Sequence, residues 1–363
     1  MTGVRIGIVG LGVRGRQWAA VFPLVPRAEL AAVVEIRPDA GVPVLGTPVS
    51  CAPVFGSLTE ALRAVTLDAV IIATPPEAHR ADLETAAAHG LAIVCEKPLS
   101  EDPDEAVAMV RFAADRGVPL LVGMNFRFLP VVVEARRRVQ RGDLGRATYA
   151  TFTYLRNRAS IRPGLNSYPA TMPHPMLLEQ SIHHLDLIRY VYGREVQSVA
   201  AQTWNPPGST YQGDACVSAQ LRMADGLHVA YIGTWVSGTN RMEFRWRTDF
   251  ERGVMIQERQ FSDLVIAERV PGAERTGPLF DEAAEPPQPV ELPAAKPFVD
   301  DTAALLACLC AVSAGEEPEA PTGADHLGTV SLVHACAAAA ASGATISVPD
   351  FAAEHGITAD RTA

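Results

Sequence analysis

Short apolar segments alternate with amphipathic ones along the first third of the chain. The apolar runs are residues 5–9, 30–35, 68–74, 91–96 and 120–125. Between them, helical patterns cover residues 58–64, 77–89 and 103–116, and another begins near residue 14. Buried strands that alternate with helices are typical of a parallel, doubly wound α/β sheet. The first third is therefore predicted to form such a sheet.

Strands dominate the pattern after a change of rhythm near residue 125. A helix over 130–141, a strand over 147–155 and a helix over 176–192 come first. Six further strands are predicted at residues 196–204, 215–223, 227–236, 242–247, 254–261 and 264–270. A Pro-rich surface loop over 271–297 and two helices, 300–314 and 325–342, come last. Runs of strands after an alternating region indicate a second, α+β domain with a mainly antiparallel sheet.

Length supports this division, because 363 residues exceed the size at which single hydrophobic cores usually stop growing. We predict a Rossmann domain over residues 1–124 and an α+β domain over residues 125–363. Hydrophobic residues make up 48% of the chain and charged residues 20%, which is a globular rather than a disordered composition.

The net charge of −10 disfavours two classes of partner. Nucleic acid and anionic membrane surfaces would both repel such a chain, so neither is expected to bind it. No uninterrupted apolar run reaches membrane-spanning length, and the first residues lack the pattern of a signal peptide. The six cysteines form no CxxC pair and are expected to be buried, reduced thiols. These observations favour a cytoplasmic protein.

A GxGxxG motif directly follows the first predicted strand and opens a helical segment. Its residues include Gly10, Gly12, Val13, Arg14 and Gly15. In that context the first glycine permits a tight turn, the second lets the backbone approach a pyrophosphate, and the third lets the helix pack on the strand. Free N–H groups at the helix N-terminus stabilise the phosphate charge. The motif predicts a dinucleotide site.

Glu35 ends the second predicted strand, about where an acid that binds the adenosine ribose is expected. A 2′-phosphate there would place like charges about 4 Å apart, which costs about 4 kcal/mol at an effective dielectric of about 20. NAD is therefore the predicted cofactor, and NADP is disfavoured. Arg37 is an opposing consideration, because an arginine two residues further on is able to bind a phosphate.

Only two of the 31 lysine and arginine residues are lysines, Lys97 and Lys296. Lys97 lies in a Glu-Lys-Pro segment at the C-terminal end of a predicted strand, where open α/β sheets bind ligands. Its ammonium is suited to stabilising the alkoxide that forms when an alcohol is oxidised. Lysine is a compact charge and arginine a planar fork, so a lysine retained in an arginine-rich chain indicates a chemical role. Lys296 is interpreted as a solvated residue.

Ionisable residues cluster in the predicted helix over 176–192. In an α-helix, Glu179, His183 and Asp186 would share one face. A histidine, with an ordinary pKa of about 6.5, is a natural acceptor for an alcohol proton. Asp186 is interpreted as a structural hydrogen-bonding partner. The same cluster, with His174 nearby, also suits a divalent metal. The lysine and the dinucleotide loop account for the chemistry without one, so no metal is predicted.

Together, these motifs resemble those of the glucose-fructose oxidoreductase/inositol dehydrogenase (Gfo/Idh/MocA) family. Its members share an ATPP..H turn, an EKP strand end, and a helix with an acid four residues before a histidine. The residues that carry these patterns here are Thr74, Pro75, Pro76 and His79, then Glu96, Lys97 and Pro98, then Glu179 and His183. The GMNFR segment, which contains Asn125 and Arg127, and the C-terminal helix pair also match. The resemblance covers nearly the whole chain.

The resemblance implies an NAD(P)-binding N-terminal domain and a C-terminal domain whose open-faced sheet supplies much of the substrate site and the oligomer interface. It implies catalytic roles for Lys97, His183 and Glu179, although most members carry aspartate where this chain has Glu179. A homodimer or homotetramer is expected. Besides the glycine motif, Glu35 and Arg37, the expected cofactor contacts are Thr74, Pro75, Pro76, His79, Glu96, Lys97 and Asn125.

Five residues are candidates for substrate contacts. They are Arg127, Arg156, Asn157, Tyr168 and Trp235. The basic stretch that contains Arg156, Asn157, Arg158 and Arg162 suits an anion pocket for a carboxylate or phosphate, and equally a solvated loop. Tyr168 and Trp235 are candidates for contact with the face of a sugar.

Three functions fit these motifs. The first is reversible hydride transfer between NAD and a secondary alcohol of a small polyol, such as a sugar, cyclitol or sugar derivative. The second is a redox-neutral enzyme of the glycosidase or epimerase type, in which NAD is reduced only transiently. The third is a non-catalytic NAD-sensing regulator, which predicts loss of Lys97 or His183, and both are present.

Overall fold

The N-terminal part forms a parallel sheet of six strands, which confirms the prediction. The computed structural model describes residues 3–37, 52–158, 167–269 and 287–357. The strands are β1 (Val4–Val9), β2 (Ala28–Val34), β3 (Val54–Phe55), β4 (Ala69–Ile72), β5 (Ala92–Cys95) and β6 (Leu120–Val122). Their order in the sheet is β3-β2-β1-β4-β5-β6, so the winding reverses between β1 and β4. Open sheets of this kind bind ligands at the carboxyl ends of the strands beside that reversal.

Helices cover both faces of this sheet because its central strands are apolar on both sides. Every residue of β4 and β5 is buried. The helices are α1 (Val13–Val21), α2 (Leu58–Ala64), α3 (Pro76–Ala88) and α4 (Pro103–Asp115). Helix α4 begins as its sequence predicts, since the Asp102 side chain accepts a hydrogen bond from the Asp104 N–H at 2.9 Å and Pro103 is the first helical residue.

The C-terminal part contains a mainly antiparallel sheet of nine strands, which confirms the predicted fold class. The strands are β7 (Ala147–Leu155), β8 (Val196–Trp204), β9 (Cys216–Met223), β10 (His228–Thr234), β11 (Glu243–Phe250), β12 (Gly253–Arg259), β13 (Ser262–Glu268), β14 (Gln288–Pro289) and β15 (Ile346–Ser347). Their order is β14-β13-β12-β11-β7-β10-β9-β8-β15. Among the described strands, β7 and β10 pair in parallel and the other neighbours are antiparallel.

One face of this second sheet packs on helices and the other is open. The covering helices are α5 (Pro130–Arg141), α6 (Ile182–Tyr192), α8 (Gly323–Ser342) and, at the β8 edge, α9 (Val348–Glu354). Burial alternates along the strands, as expected for a sheet with one apolar face. On the open face, Tyr149, Trp204 and Ile232 are 43%, 40% and 38% exposed.

Helix α7 (Asp300–Ser313) returns from the C-terminal part to the first sheet. Its Leu305, Leu306 and Leu309 share one core cluster with Ile8 and Trp18, so α7 and α1 cover the same face. The boundary between residues 124 and 125 stays a prediction, and the packing of α7 means that the two parts of the chain interlock.

Several predicted features fall partly or wholly outside the described residues. These are Cys51, Arg162 and most of the loop over 271–297, of which residues 287–297 are described and include β14. Within the described parts of the chain, no helix is both long enough and apolar enough to cross a bilayer.

Candidate active site

The turn between β1 and α1 has the geometry of a phosphate cradle. Gly10 has a φ of 92°, and a Cβ at that position would lie 2.9 Å from the carbonyl oxygen of Ala73. A Cβ at Gly15 would lie 1.9 Å from the Gly10 oxygen, so the helix start can pack only against glycine. At Gly12 there is open space, and α1 begins at Val13 without a side-chain cap. Free N–H groups that face open space suit an anion such as a pyrophosphate.

Glu35 lies just beyond β2 with its carboxylate tightly bound. Its Oε2 accepts from the Leu11 N–H at 2.9 Å, and Arg37 donates to the two oxygens at 2.9–3.0 Å. The hydrogen bond from the Arg37 side chain, opposed by burial, lowers the pKa of Glu35 to about 2. The carboxylate is therefore ionised and suited to accept ribose hydroxyls, while the guanidinium of Arg37 is engaged by Glu35.

His79 connects two loops at the carboxyl edge of the first sheet. Its Nε2 lies 2.8 Å from the Thr74 oxygen and its Nδ1 lies 3.2 Å from the Leu99 oxygen. Burial lowers the pKa of His79, so the neutral ring donates to one of these carbonyls at a time. Pro75 is exposed at the tip of this turn and Pro76 begins α3. His79 thus fixes the turn that presents Thr74, and a direct contact with cofactor stays a prediction.

Glu96 is buried between α1 and β5. It accepts from the Arg14 Nε at 2.5 Å and from the Trp18 Nε1 at 2.7 Å. A Cβ at Gly123 would lie 2.6 Å from its Oε2, so the carboxylate fills space left by a glycine. Arg14 also donates to Thr302 of α7 at 3.0 Å. These contacts hold α1, β5 and α7 together beside the phosphate cradle.

Lys97 and Glu179 meet although 82 residues separate them in sequence. The Lys97 Nζ donates to the Glu179 backbone oxygen at 2.9 Å and pairs with its Oε2. The Tyr168 hydroxyl donates to the other carboxylate oxygen at 2.7 Å. The Lys97 side chain is 13% exposed, and the peptide bond to Pro98 is cis. The lysine, the acid and Tyr168, which were each predicted as site residues, therefore form one group.

The segment that carries Glu179 is a π-helix over Met176–Ser181, followed by α6. The predicted single α-helix over 176–192 is therefore wrong in its first six residues, and Glu179 and His183 do not have regular α-helical spacing. All six residues of the π-helix are buried. The hydrophobic pattern of the sequence therefore has no periodicity here that would distinguish a π-helix from an α-helix. Single π-turns inside helices frequently occur at functional sites.

His183 has the features of a neutral proton acceptor. Its ring stacks on Phe126 with a centroid distance of 4.4 Å, and it is 7% exposed. Among the described residues its Nδ1 has no hydrogen-bond partner. Burial, with the nearby charge of Lys97, holds the pKa of His183 well below its ordinary value. The neighbouring His184 instead bonds Gln180 and Tyr231, at 3.1 and 2.9 Å.

Arg127 has different neighbours from those predicted. Its guanidinium binds Asp186 at 2.7 and 2.5 Å and Asp325 at 2.5 Å, and it is 7% exposed. A substrate contact would require it to leave two carboxylates. Asp186 also accepts from Thr329 at 2.9 Å, which agrees with its predicted structural role. Asn125, from the same segment as Arg127, donates to Asp301 of α7.

The remaining substrate candidates divide into buried and accessible groups. Trp235 is fully buried, with the Arg158 guanidinium 4.4 Å from its ring centre. Its predicted contact with a sugar face is not available in this arrangement. Arg156 and Asn157 line a cavity of about 390 Å³. The other described residues around that cavity are Phe126, Gln180, Asn240, Met242, Gln260, Phe261 and Phe298.

Sequence patterns missed most of these cavity residues. Asn240, Gln260 and Phe298 lie in loops or at strand ends and belong to no recognisable motif. Phe298 has a φ of 63°, which is rare for a residue with so large a side chain. No pattern in the sequence predicts this backbone conformation. Within the described ranges, no group of three or more His, Cys, Asp or Glu side chains is placed to hold a metal ion.

Comparisons with known proteins match both parts of the chain. Residues 4–124 match a family model described as an oxidoreductase family with an NAD-binding Rossmann fold, and residues 132–256 match a GFO/IDH/MocA C-terminal domain. An inositol 2-dehydrogenase of Rhizobium meliloti is 30% identical over 202 residues, 54% of this chain and 58% of that protein. A D-apiose dehydrogenase of Paraburkholderia graminis is 29% identical over 298 residues, 81% of this chain and 76% of that protein. The matched inositol 2-dehydrogenases are thus aligned over less than two thirds of their length.

Solved structures share the fold over nearly the whole chain. An oxidoreductase from Agrobacterium radiobacter, in complex with NAD⁺, L-tartaric acid and magnesium, has a TM-score of 0.81 at 22% identity. A levoglucosan dehydrogenase in complex with NADH and levoglucosan has a TM-score of 0.81 at 19% identity. Both superpositions cover 96% of this chain and 100% of the other. At these identities the likeness concerns the fold alone.

Proposed function

This chain belongs to the Gfo/Idh/MocA family of oxidoreductases and carries its NAD-binding Rossmann domain, and we propose that it is an NAD-dependent dehydrogenase. The proposed substrate is a secondary alcohol of a sugar, cyclitol or sugar derivative. The observation that carries the proposal is the grouping of Lys97, Glu179 and His183 next to a cavity at the carboxyl edge of the first sheet. The names of the inositol and apiose dehydrogenase relatives support this substrate class.

The three residues divide the chemistry among them. Oxidation of a CH–OH group to C=O removes one proton and one hydride. His183, which is neutral, accepts the hydroxyl proton. Lys97 stabilises the negative charge that develops on the alcohol oxygen. Bound NAD supplies the acceptor for the hydride.

Glu179 acts as a positioning residue for the lysine. It holds Lys97 through its backbone oxygen and its carboxylate, and Tyr168 fixes the orientation of that carboxylate. Its extra methylene, relative to the aspartate of most members, lets the carboxylate reach Lys97 from the wider π-helix. In this arrangement the ammonium is fixed before substrate binds, which lowers the reorganisation needed during reaction.

The function is tested by a screen of sugars, cyclitols and sugar acids with NAD, read by NADH absorbance. A dehydrogenase produces one NADH for each molecule of ketone or lactone formed. Turnover of substrate without net NADH would instead assign the redox-neutral chemistry. NAD binding without turnover of any polyol class would favour the regulator.

NAD is expected to bind at least about tenfold more tightly than NADP, which isothermal titration with both cofactors will measure. The ionised Glu35 repels a 2′-phosphate, and Arg37 only partly offsets this because its guanidinium is paired with Glu35. In Glu35→Gln the difference between the two affinities should shrink. Equal or tighter binding of NADP by the unaltered protein would contradict this assignment of Glu35.

We also propose a homodimer or homotetramer that forms through the open face of the second sheet. Tyr149, Trp204 and Ile232 lie on that face at 43%, 40% and 38% exposure, and no helix of the described residues covers them. Light scattering at micromolar concentration should report a multiple of the 38.7 kDa chain mass, and Ile232→Glu should reduce that mass. A single species near 38.7 kDa for the unaltered chain would rule out the oligomer.

A cytoplasmic location is part of the same proposal. The described cysteines, namely Cys95, Cys216, Cys308, Cys310 and Cys336, are buried and form no disulfide with one another. Burial raises the pKa of the Cys336 thiol to about 12 and that of Cys308 to about 11. Unreactive, reduced thiols suit a reducing compartment.

A further inference from the structure

The cavity of about 390 Å³ is lined by two residues that adjoin the proposed catalytic group. Gln180 in its wall follows Glu179, and Phe126 in its wall stacks on His183. A substrate whose hydroxyl reaches His183 would extend past Phe126 towards these walls. The side chains around the cavity decide which polyol fits.

Arg156 is the only ionisable side chain among the described residues that line the cavity. Its backbone is fixed at the end of β7, where its N–H donates to the Thr234 oxygen at 3.0 Å and its oxygen accepts from the Ser237 N–H at 3.2 Å. Its side chain is exposed, and within the described part of the chain it pairs with no carboxylate. A positive group thus faces the substrate space of a chain whose net charge is −10.

Three other arginines near the site have their charge neutralised by carboxylates. Arg14 pairs with Glu96, Arg37 with Glu35, and Arg127 with Asp186 and Asp325. A guanidinium left unpaired among neutral amide side chains attracts an anion, and its planar fork matches a carboxylate through two parallel hydrogen bonds.

Part of the cavity wall is aromatic. Phe126, Phe261 and Phe298 contact one another edge-to-face, with ring centres 5.5–5.6 Å apart. Such a surface packs against the C–H face of a sugar ring. A phosphate carries a charge of about −1.5 to −2, of which one guanidinium neutralises only a single unit. The rest would lie unpaired against an apolar wall, which is unfavourable. A carboxylate, with a single charge, matches Arg156.

We propose that Arg156 binds the carboxylate of the substrate, so that the enzyme oxidises a cyclic sugar acid in preference to the neutral sugar. This proposal rests on the dehydrogenase function and adds the substrate class. Arg156 contacts a part of the substrate remote from the reacting hydroxyl, so it contributes to binding in the ground and transition states alike.

The test compares uronic acids with their parent neutral sugars, and with the corresponding sugar phosphates, on the unaltered enzyme, Arg156→Gln and Arg63→Gln. Arg63 is an exposed residue of α2 and serves as the matched loss of one positive charge. Arg156→Gln should reduce kcat/KM for the acids by about 30-fold or more, mainly through KM, and leave the neutral sugars within about twofold. Arg63→Gln should behave as the unaltered enzyme.

Calorimetric binding of the same compounds to the enzyme separates this proposal from the catalytic one. Uronate binding that is lost in Arg156→Gln supports the carboxylate site even if no NADH forms, in which case the proposed function alone fails. NADH formation from neutral sugars or sugar phosphates in preference to acids, with Arg156→Gln unchanged, would overturn the carboxylate site and leave the dehydrogenase function intact.

Discussion

Lys97→Arg is expected to lower kcat by about 100- to 1000-fold, or about 3–4 kcal/mol, with little change in NAD affinity. The compact ammonium of Lys97 lies between the backbone oxygen and the carboxylate of Glu179 and is 13% exposed. A guanidinium is a wider, planar group that cannot occupy the same point. It would displace the alcohol oxygen from the position at which its developing charge is stabilised.

Lys296→Arg is the matched control, since it makes the same substitution at the other lysine of the chain, which is exposed. Its kcat should equal that of the unaltered enzyme. Circular dichroism and titration with NAD establish that Lys97→Arg folds and binds cofactor. His183→Ala should also lose turnover, and the two losses should not add, because both residues act on one hydroxyl. A near-normal kcat in Lys97→Arg would show that Lys97 is not the catalytic cation.

Arg127→Ala is expected to lower the free energy of unfolding by about 3–5 kcal/mol. The guanidinium binds Asp186 and Asp325, and its own pKa is raised because the two carboxylates outweigh the effect of burial. Without it, the one ion-pair partner left to these two carboxylates among the described residues is Arg189, which lies 4.0 Å from Asp186 and 3.4 Å from Asp325. Asp186 also keeps its hydrogen bond from Thr329. An uncompensated buried charge is far more costly than a lost surface ion pair.

Urea denaturation measures the loss in the free energy of unfolding, with Arg137→Ala as the control. Arg137 pairs with Glu134 on an exposed helix surface, so this substitution should cost no more than about 1 kcal/mol. The pH dependence gives a second readout. Burial alone raises the pKa of Asp325, but the charges of Arg127 and Arg189 lower it to about 2. A depressed carboxylate pKa stabilises the fold above the unfolded value, about 3.9, and this stabilisation is lost as the pH falls towards 2. The stabilisation that is lost at low pH should be smaller in Arg127→Ala. If Arg127→Ala lowers the free energy of unfolding no more than Arg137→Ala does, the assigned role of Arg127 is contradicted.

Local sequence signals were sufficient to predict the elements around the proposed site. The sequence predicted the glycine motif, the acid at the end of β2 and Lys97 at the end of β5. Each of these positions is set by residues close to it in the same βα unit. The two-sheet fold was readable as well, since burial on one or both faces leaves different periods in the sequence.

Contacts between residues far apart in the sequence could not be predicted. Arg127 was predicted as a substrate contact from the GMNFR segment, and its pairing with Asp325, 198 residues away, left no sign in the sequence spacing. The π-helix was missed since its residues are uniformly buried, and the cavity was missed because it is assembled from six separate segments. Arg156 was recognised as a possible anion ligand by residue type, but only the folded chain distinguishes it from Arg158, which stacks on Trp235.

The return of α7 to the first sheet has a consequence for the order of events during synthesis. Residues 4–122 contain all six strands of that sheet, yet the core around Ile8 and Trp18, which α1 shares with α7, is complete only when Leu305 and Leu309 reach it. At a translation rate of about 5–20 residues per second, roughly 10–40 seconds separate the end of β6 from the end of α7. During that interval the part of the face that α7 covers stays open to solvent or to a chaperone, so the cofactor domain is completed only after most strands of the second sheet have been made.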